Sequence, residues 1–553
     1  MTNSYIFFTG RLKWRYYFCA AGLCRRLSIF SLFSVMLCGL NTAYGQGRNA
    51  LAAEMRASMV NKLLKQWYPR AIDTMDGGFL STFSYNFKPV GNQDKMIVTQ
   101  ARHIWSNAKA AQLFPDVKYY AYGAKHGYFF LRDVLWDKQY GGFYTYTDRQ
   151  GKVKQSNFAQ KEAYGNAFAL YALAAYYQQS GDTSALNLAK REFIWLEQHS
   201  HDPIHKGYFQ HMERDGTPVN RPAGISPNAE LGYKDQNTSI HLLEAFTELY
   251  QVWPDELLRA RLQEMLTLLT QTIINPKGYL QLFFQPNWTP VSLKDSSATA
   301  IARYKSIDHV SFGHDVETAY LMLEASHVLG IKNNAAILQL GKRMVDHALD
   351  NGWDNQVGGF YDEGFYFKDK PGISILADTK NWWAQAEGLN TLLIMSHYYP
   401  KDGHQYYSKF LQLWAYVKTY LIDQEHGDWY QGGIDKQPQY KTALKGQIWK
   451  GTYHNLRALI NCVARLHPDS TPPAAPSRLK KSIKNGVAVL SWNKAADDNA
   501  LMGYDIYSGN KRVAFTPLTK TAITIRGFKP GAGLYLQAID LQGNRSARVR
   551  FNR

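Results

Sequence analysis

Cysteine is nearly missing from this chain: there are four in 553 residues, and only Cys462 lies beyond Cys38. A lone thiol excludes an intramolecular disulfide and a cysteine-based metal site in the body of the protein, so packing must supply its stability. Acid is missing where the chain begins. No Asp or Glu precedes Glu54, while Arg11, Lys13, Arg15, Arg25 and Arg26 come before an apolar run from Leu27 to Leu40. That run is short for a membrane span, and Ala43-Tyr44-Gly45 offers small residues for cleavage before Gln46. The expectation is an export signal over residues 1–45 and a mature protein in a periplasm or outside the cell.

Nucleic-acid motifs are also lacking, so the net charge of +18 needs another reading. Residues 472–553 hold 14 Lys and Arg against 4 Asp and Glu, which puts most of the basic excess at the C-terminal end. A solvated basic face explains this, and so does contact with a polysaccharide or an anionic surface. No nucleic-acid partner is expected, and the chain is read as a monomer. Aromatic residues, by contrast, are plentiful: 14 Trp, 37 Tyr and 27 Phe. They fill cores, and their flat faces also suit the apolar faces of sugar rings.

A Gly-aromatic turn punctuates the middle of the chain six times. It occurs at Gly77-Gly78-Phe79, Gly141-Gly142-Phe143, Gly207-Tyr208-Phe209, Gly278-Tyr279-Leu280, Gly358-Gly359-Phe360 and Gly427-Asp428-Trp429. Asp73, Asp137, Asp202, Asp354 and Asp423 stand a few residues before five of the copies. Between the turns, segments such as Glu162–Gln178, Ser239–Trp253, Asp315–Leu329 and Tyr453–Leu466 carry apolar residues at spacings of three and four, the pattern of a helix. Six helix–turn–helix units bury all their apolar faces if they close into a ring of inner and outer helices. An (α/α)6 barrel over residues 46–468 is therefore expected, with an open helical solenoid as the alternative.

At Pro472-Pro473-Ala474-Ala475-Pro476 the texture changes, and residues 469–476 read as a linker. Beyond it, Val487–Trp492, Tyr504–Tyr507, Ala522–Ile525 and Leu534–Ala538 alternate with period two. Short strands this dense predict a small all-β sandwich over residues 477–553. The strand ending in Trp492 and the Gly533–Ala538 strand resemble those of a fibronectin type III domain.

The start of each second helix carries a polar residue: Arg102, Tyr164, His241, His314, Glu387 and His454. Singly, each is an ordinary helix residue. Recurring in six units, they are expected at equivalent depth around one central pocket. Asn237 precedes His241 by one turn and Glu317 follows His314 by three residues, while Trp383 stands four residues before Glu387 and Trp449 five before His454. Histidine can take and give a proton near neutral pH, so three of them suggest proton transfer. These residues alone leave several functions open. A glycoside hydrolase would use two carboxylates, Asp235 or Glu317 with Glu387. An aldose–ketose isomerase or a non-catalytic glycan-binding protein also fits.

Five ordered motifs narrow the choice: Gln100-Ala101-Arg102, Tyr164–Phe168, Gly313-His314-Asp315-Val316-Glu317, Trp382–Glu387 and Trp449-Lys450-Gly451-Thr452-Tyr453-His454-Asn455. Over residues 50–468 the chain resembles cellobiose 2-epimerases, of the N-acylglucosamine 2-epimerase superfamily. The resemblance implies an (α/α)6 barrel that inverts C2 of the reducing sugar of a β-1,4-linked disaccharide, with no metal or nucleotide cofactor. It implies that His314 and His454 are the acid/base pair and that His241 assists ring opening. It further implies that Arg102, Tyr164, Asn237, Glu317 and Glu387 bind hydroxyls or orient histidines, and that Trp383 and Trp449 stack on sugar rings. Ser239 stands where relatives often carry another histidine, and Thr452 and Ala384 where proline is expected.

Overall fold

The computed structural model describes residues 47–154, 160–526 and 533–552. The expected export signal lies outside these residues. Six helices form an inner ring: α1 (Ile97–Leu113), α2 (Ala163–Ser180), α3 (Gln236–Val252), α4 (Phe312–Val328), α5 (Trp382–Tyr398) and α6 (Tyr453–Leu466). Each packs on the next, and α6 packs back on α1, so the ring closes and an open solenoid is excluded. Outer helices back them, among them Lys118–Phe130 behind α1, Thr183–His199 behind α2 and Ala335–Gly352 behind α4. The two rings bury different amounts of surface. α2 is buried continuously from Ala163 to Gln178, whereas the helix behind it buries one stripe, Ala185, Leu188, Ala189, Glu192, Phe193 and Leu196 among it.

The recurring turn has one geometry throughout. It closes an antiparallel bridge in every unit: Ile72 with Phe79, Trp136 with Phe143, His201 with Tyr208, Ile274 with Leu280, Trp353 with Phe360, and Ile422 with Trp429. The bridged residues in the third and fourth units are Tyr208 and Leu280, so the sequence motif slides by one position there. Five turns place two successive residues at positive φ, as at Gly77 (81°) and Gly78 (64°), and this is why Gly-Gly recurs. Lys206 and Asp428 adopt that conformation without being glycine.

Buried ion pairs lock the same five turns. Lys95 donates to Asp73 (3.1 Å), Lys161 to Asp137 (3.1 Å), Lys234 to Asp202 (2.7 Å), Lys380 to Asp354 (2.7 Å) and Lys445 to Asp423 (2.7 Å). Lys95, Lys161, Lys234 and Lys380 each stand two residues before an inner helix, so each clasp ties a turn to the start of the helix behind it. The lysines also donate to turn carbonyls, as Lys95 does to Gly77 (2.5 Å). In the fourth unit Asn275 replaces the acid and Val310 stands where the lysine would be, so both charges are lost together.

Short ladders stitch each unit to its neighbour around the rim. Lys95–Met96 pairs with Tyr146–Thr147, Lys161–Glu162 with His211–Met212, Lys234–Asp235 with Phe283–Phe284, and Val310–Ser311 with Glu363–Phe365. All six inner helices begin at this rim. Residues of the long connections 209–235 and 281–311 line a groove that also includes Tyr164 and His314, near the starts of α2 and α4.

The C-terminal strands form two antiparallel sheets. β1 (Ser477–Lys484), β2 (Val487–Asn493) and β5 (Ala522–Arg526) make one in the order β1-β2-β5. β3 (Leu501–Ser508), β4 (Lys511–Pro517), β6 (Leu534–Asp540) and β7 (Val549–Arg550) make the other in the order β4-β3-β6-β7. Their core holds Trp492 packed edge-on to Tyr504, with ring centroids 5.3 Å apart. This module sits against the C-terminal ends of α2 and α3. Arg512 donates to the carbonyls of Tyr250 (3.0 Å) and Gln251, and Thr519 to Ser180 (3.2 Å), a favourable use of a cation at a helix C-terminus. Phe515 inserts into the core of the barrel.

Candidate functional site

A chamber of about 250 Å³ opens on the barrel axis at the rim where the inner helices begin. Of the residues expected at the site, Arg102, Tyr164, Asn237, His241, His314, Glu317, Trp383, Trp449 and His454 line it. Glu387 does not; it is fully buried behind His454. Equivalent depth, however, is not what the structure shows. Arg102, His241 and Glu387 are the sixth residues of α1, α3 and α5, whereas Tyr164, His314 and His454 are second or third in α2, α4 and α6. At 1.5 Å of rise per residue the two sets form separate layers, about 5 Å apart.

All three histidines are anchored through Nδ1. His454 Nδ1 bonds Glu387 Oε1 at 2.8 Å, His241 Nδ1 bonds Glu244 Oε2 at 2.8 Å, and His314 Nδ1 meets Ser311 Oγ at 2.8 Å. An ionised carboxylate only accepts, so His454 and His241 carry their proton on Nδ1 when neutral and leave Nε2 as the basic nitrogen. Ser311 can donate or accept, so the tautomer of His314 is free to change. Burial lowers the pKa of His314 to about 3, with His241, His309 and His454 adding to the effect. Burial likewise takes His454 well below the usual histidine value, helped by Arg102 and Arg457 and opposed by Glu317. Both rings are therefore neutral at rest.

Beneath the chamber lies a charged cluster that the sequence reading missed. Arg457 donates to Glu317 (2.5 Å), to Glu387 (2.6 Å) and to Glu244, and Tyr453 donates to Glu244. Burial would raise the Glu244 carboxyl, but Arg457 and His241 prevail and hold it down at about 2. Burial raises Glu387 against the pull of Arg457. The signals were present in the sequence, since Arg457 and Glu244 follow His454 and His241 by three residues, one helical turn.

Aromatic rings and donors complete the chamber. Trp383 lies between the two outer histidines, its ring centroid 4.6 Å from His314 and 5.8 Å from His454. Gly313 permits this, because a Cβ there would come within 2.7 Å of the Trp383 ring. Trp449 is 43% exposed and forms the lip. Arg102 donates to the Trp449 carbonyl and to Tyr164 Oη, both at 3.1 Å, and its Nε has no protein acceptor. Asn237 Oδ1 likewise has no protein donor.

From this chamber a groove of about 510 Å³ runs outward, sharing Tyr164, Asn237, His314 and Trp449 with it. Glu162, Glu230 and Asp235 line the groove. Burial, with neighbouring carboxylates adding, raises Glu162 and Glu230 to about 7. Burial raises Asp235 to about 6 against hydrogen bonds from Thr238. Ser239, at the position noted for its missing histidine, points its hydroxyl back to the Asp235 carbonyl (2.7 Å).

Residues 77–458 match the family model described as N-acylglucosamine 2-epimerase. The chain is 28% identical over 418 residues to a cellobiose 2-epimerase of Bacteroides fragilis, covering 74% of this chain and 98% of that protein. It is 29% identical over 423 residues to one of Ruminococcus albus, covering 75% and 99%. Among solved structures, the cellobiose 2-epimerase of Bacillus thermoamylovorans superposes with a TM-score of 0.65 at 25% identity, over 75% of this chain and 100% of that one. That of Spirochaeta thermophila gives 0.64 at 27% identity, over 76% and 98%.

Proposed function

The chain belongs to the N-acylglucosamine 2-epimerase family, and with the chamber just described this leads us to propose that it epimerises the reducing-end sugar of β-1,4-linked disaccharides at C2. The observation that carries this reading is the pairing of two neutral, Nδ1-anchored imidazoles, His314 and His454, in one chamber. Inversion by proton transfer needs an acid/base group on each face of a planar intermediate.

The chemistry follows from the substrate. Once the reducing sugar opens to its aldehyde, the C2 proton becomes acidic enough for an imidazole to remove. His241 lies beside Tyr164 and Phe168, deep enough to assist opening and hold the sugar. His454 takes the C2 proton on Nε2, and the imidazolium formed is stabilised by Glu387 behind it. The cis-enediolate left behind places charge on O1 and O2, and the Arg102 guanidinium meets that charge in a site shielded from water. The proton held by His454 is relayed to His314 through the enediolate oxygens, and His314 delivers it to the opposite face, so that both rings return to neutral and the reverse reaction exchanges the two roles. Arg457 keeps three carboxylates tolerable beside these events and fixes the orientation of Glu387.

The second sugar never reacts, so it needs only stacking and hydrogen bonds. In this reading Trp383 holds the reducing sugar and Trp449 the lip between the two units, while Asn237, Tyr164 and Glu317 read hydroxyls. The second unit extends into the groove beside Glu162 and Glu230. The C-terminal module we read as fibronectin type III-like, because its strands divide into sheets of three and four. We also read the protein as exported, on the basic residues and apolar run at its start. Product analysis of full-length protein with cellobiose and with β-1,4-mannobiose tests the function: the C2 epimers are expected, whereas free monosaccharide or a ketose would contradict it.

A further inference from the structure

The C-terminal module carries one face without acid. β1, β2 and β5 hold five Lys and Arg and no Asp or Glu. Contacts with the barrel, through Arg512 and Phe515, are made instead from β4 of the other sheet. Register fixes what the outer face of β1-β2-β5 presents. Lys484 pairs with Val487 and Val487 with Arg526, Ser482 with Val489 and Val489 with Thr524, and Lys480 with Ser491. Ala488, Leu490 and Trp492 alternate with these on β2 and are buried in the module's core, so the paired set faces solvent.

Lys484 and Arg526 stand two strand spacings apart, about 10 Å, and Lys480 lies about 13 Å along β1 from Lys484. No carboxylate pairs with any of the three among the described residues. Asp505, buried on β3 of the other sheet, is taken by both Arg512 and Arg545 at 2.6 Å. The three exposed cations therefore repel one another uncompensated, and an anionic chain laid across them removes that repulsion. An anionic bilayer would be met by Trp, Phe or Leu inserted among the cations, whereas the largest apolar residues on this face are Val487 and Val489. Ser482, Ser491 and Thr524 lie between the cations, and their hydroxyls donate and accept as sugar hydroxyls do. We propose that this face docks an acidic polysaccharide, whose carboxylates meet Lys480, Lys484 and Arg526 while its hydroxyls meet the two serines and Thr524. The module rests on the C-terminal ends of α2 and α3, and the chamber opens where the inner helices begin, so a docked chain leaves the chamber free.

Biolayer interferometry of the full chain on immobilised polygalacturonate provides the test, with a neutral β-glucan as the reference surface. Binding to the polyuronate is expected, weakening as salt rises because exposed charges are screened beyond about 10 Å at about 0.1 M. Lys480→Gln/Lys484→Gln/Arg526→Gln should raise Kd roughly tenfold or more, the scale of three cations near an anionic surface, with the melting temperature and epimerisation unchanged. The corresponding Glu triple should abolish binding. Lys138→Gln/Lys332→Gln/Lys401→Gln makes the same change in charge at exposed sites of the barrel and should leave binding as it was. No binding to the polyuronate, equal loss in both Gln triples, or equal binding to the neutral glucan overturns the proposal. Phosphatidylglycerol vesicles that bind through Lys480, Lys484 and Arg526 more tightly than the polyuronate would overturn it too, assigning the face to lipid.

Discussion

Two sets of buried charges hold this barrel together, and they differ in one respect. In the turn clasps every charge faces a matched partner: Lys161, fully buried, donates to Asp137 and to the Gly141 and Arg214 carbonyls. Around the chamber the same kinds of group are left unfinished. Arg102 Nε, Glu387 Oε2 and Arg457 Nε have no protein partner, and three carboxylates share one guanidinium. Satisfied burial serves stability, while unsatisfied burial keeps a site ready for a substrate.

The largest expected effect separates the two sets by activity. His454→Ala should lower kcat for epimerisation about 10³-fold, within the range of one general acid–base group, while the melting temperature changes little. A clasp variant should do the reverse. Lys161→Met leaves the buried Asp137 with Arg214 (3.0 Å) as its remaining cation, which should cost about 1.5–3 kcal/mol in denaturant unfolding with kcat per folded molecule unchanged. The double variant Lys161→Met/Asp137→Asn should recover most of that loss, because the fourth unit already runs on Val310 and Asn275.

Acid should resolve the sets next. His314 is depressed to about 3 when folded and lies near 6.5 when unfolded, so only the unfolded chain gains its proton between those values. Its contribution is complete above pH 6.5 and is lost as pH falls toward 3. Asp73 is held at about 2, since Arg149 and Lys95 outweigh its burial, so its contribution is lost only below about pH 4. Thermal melts from pH 7 to pH 5 should therefore fall, and His314→Asn should flatten that slope where an Asp73 variant would not. The smallest effect belongs to the exposed lip: Trp449→Ala should raise KM for a disaccharide by roughly 3- to 10-fold, from about 0.5–1.5 kcal/mol of lost stacking.

Much of this was legible in the sequence, for physical reasons. Left-handed residues favour glycine, and each of the six turns carries at least one glycine at positive φ, so the turns announce themselves, and six amphipathic units have few ways to bury themselves other than a ring. The histidines and tryptophans of the chamber were visible as polar or bulky residues at helix starts. The clasps were not, because their partners are 22 to 32 residues apart and a lysine before a helix reads as a surface charge. Arg457 was hidden because it sits one turn inside a helix whose first turn drew attention. Depth was misjudged, since Arg102 is the sixth residue of α1 and His314 the third of α4. The acidic groove depends on residues 209–235 and 281–311, whose long connections carry no periodicity.

The central claim is that His314 and His454 act on opposite faces of one intermediate. It is tested most directly by following C2 of cellobiose and its epimer by NMR in deuterium oxide with His314→Asn. The account predicts exchange of the C2 proton for deuterium in one epimer without inversion, because His454 alone can remove and return a proton on its own face. Inversion that persists at the wild-type rate, or exchange that appears equally in both epimers, would contradict it.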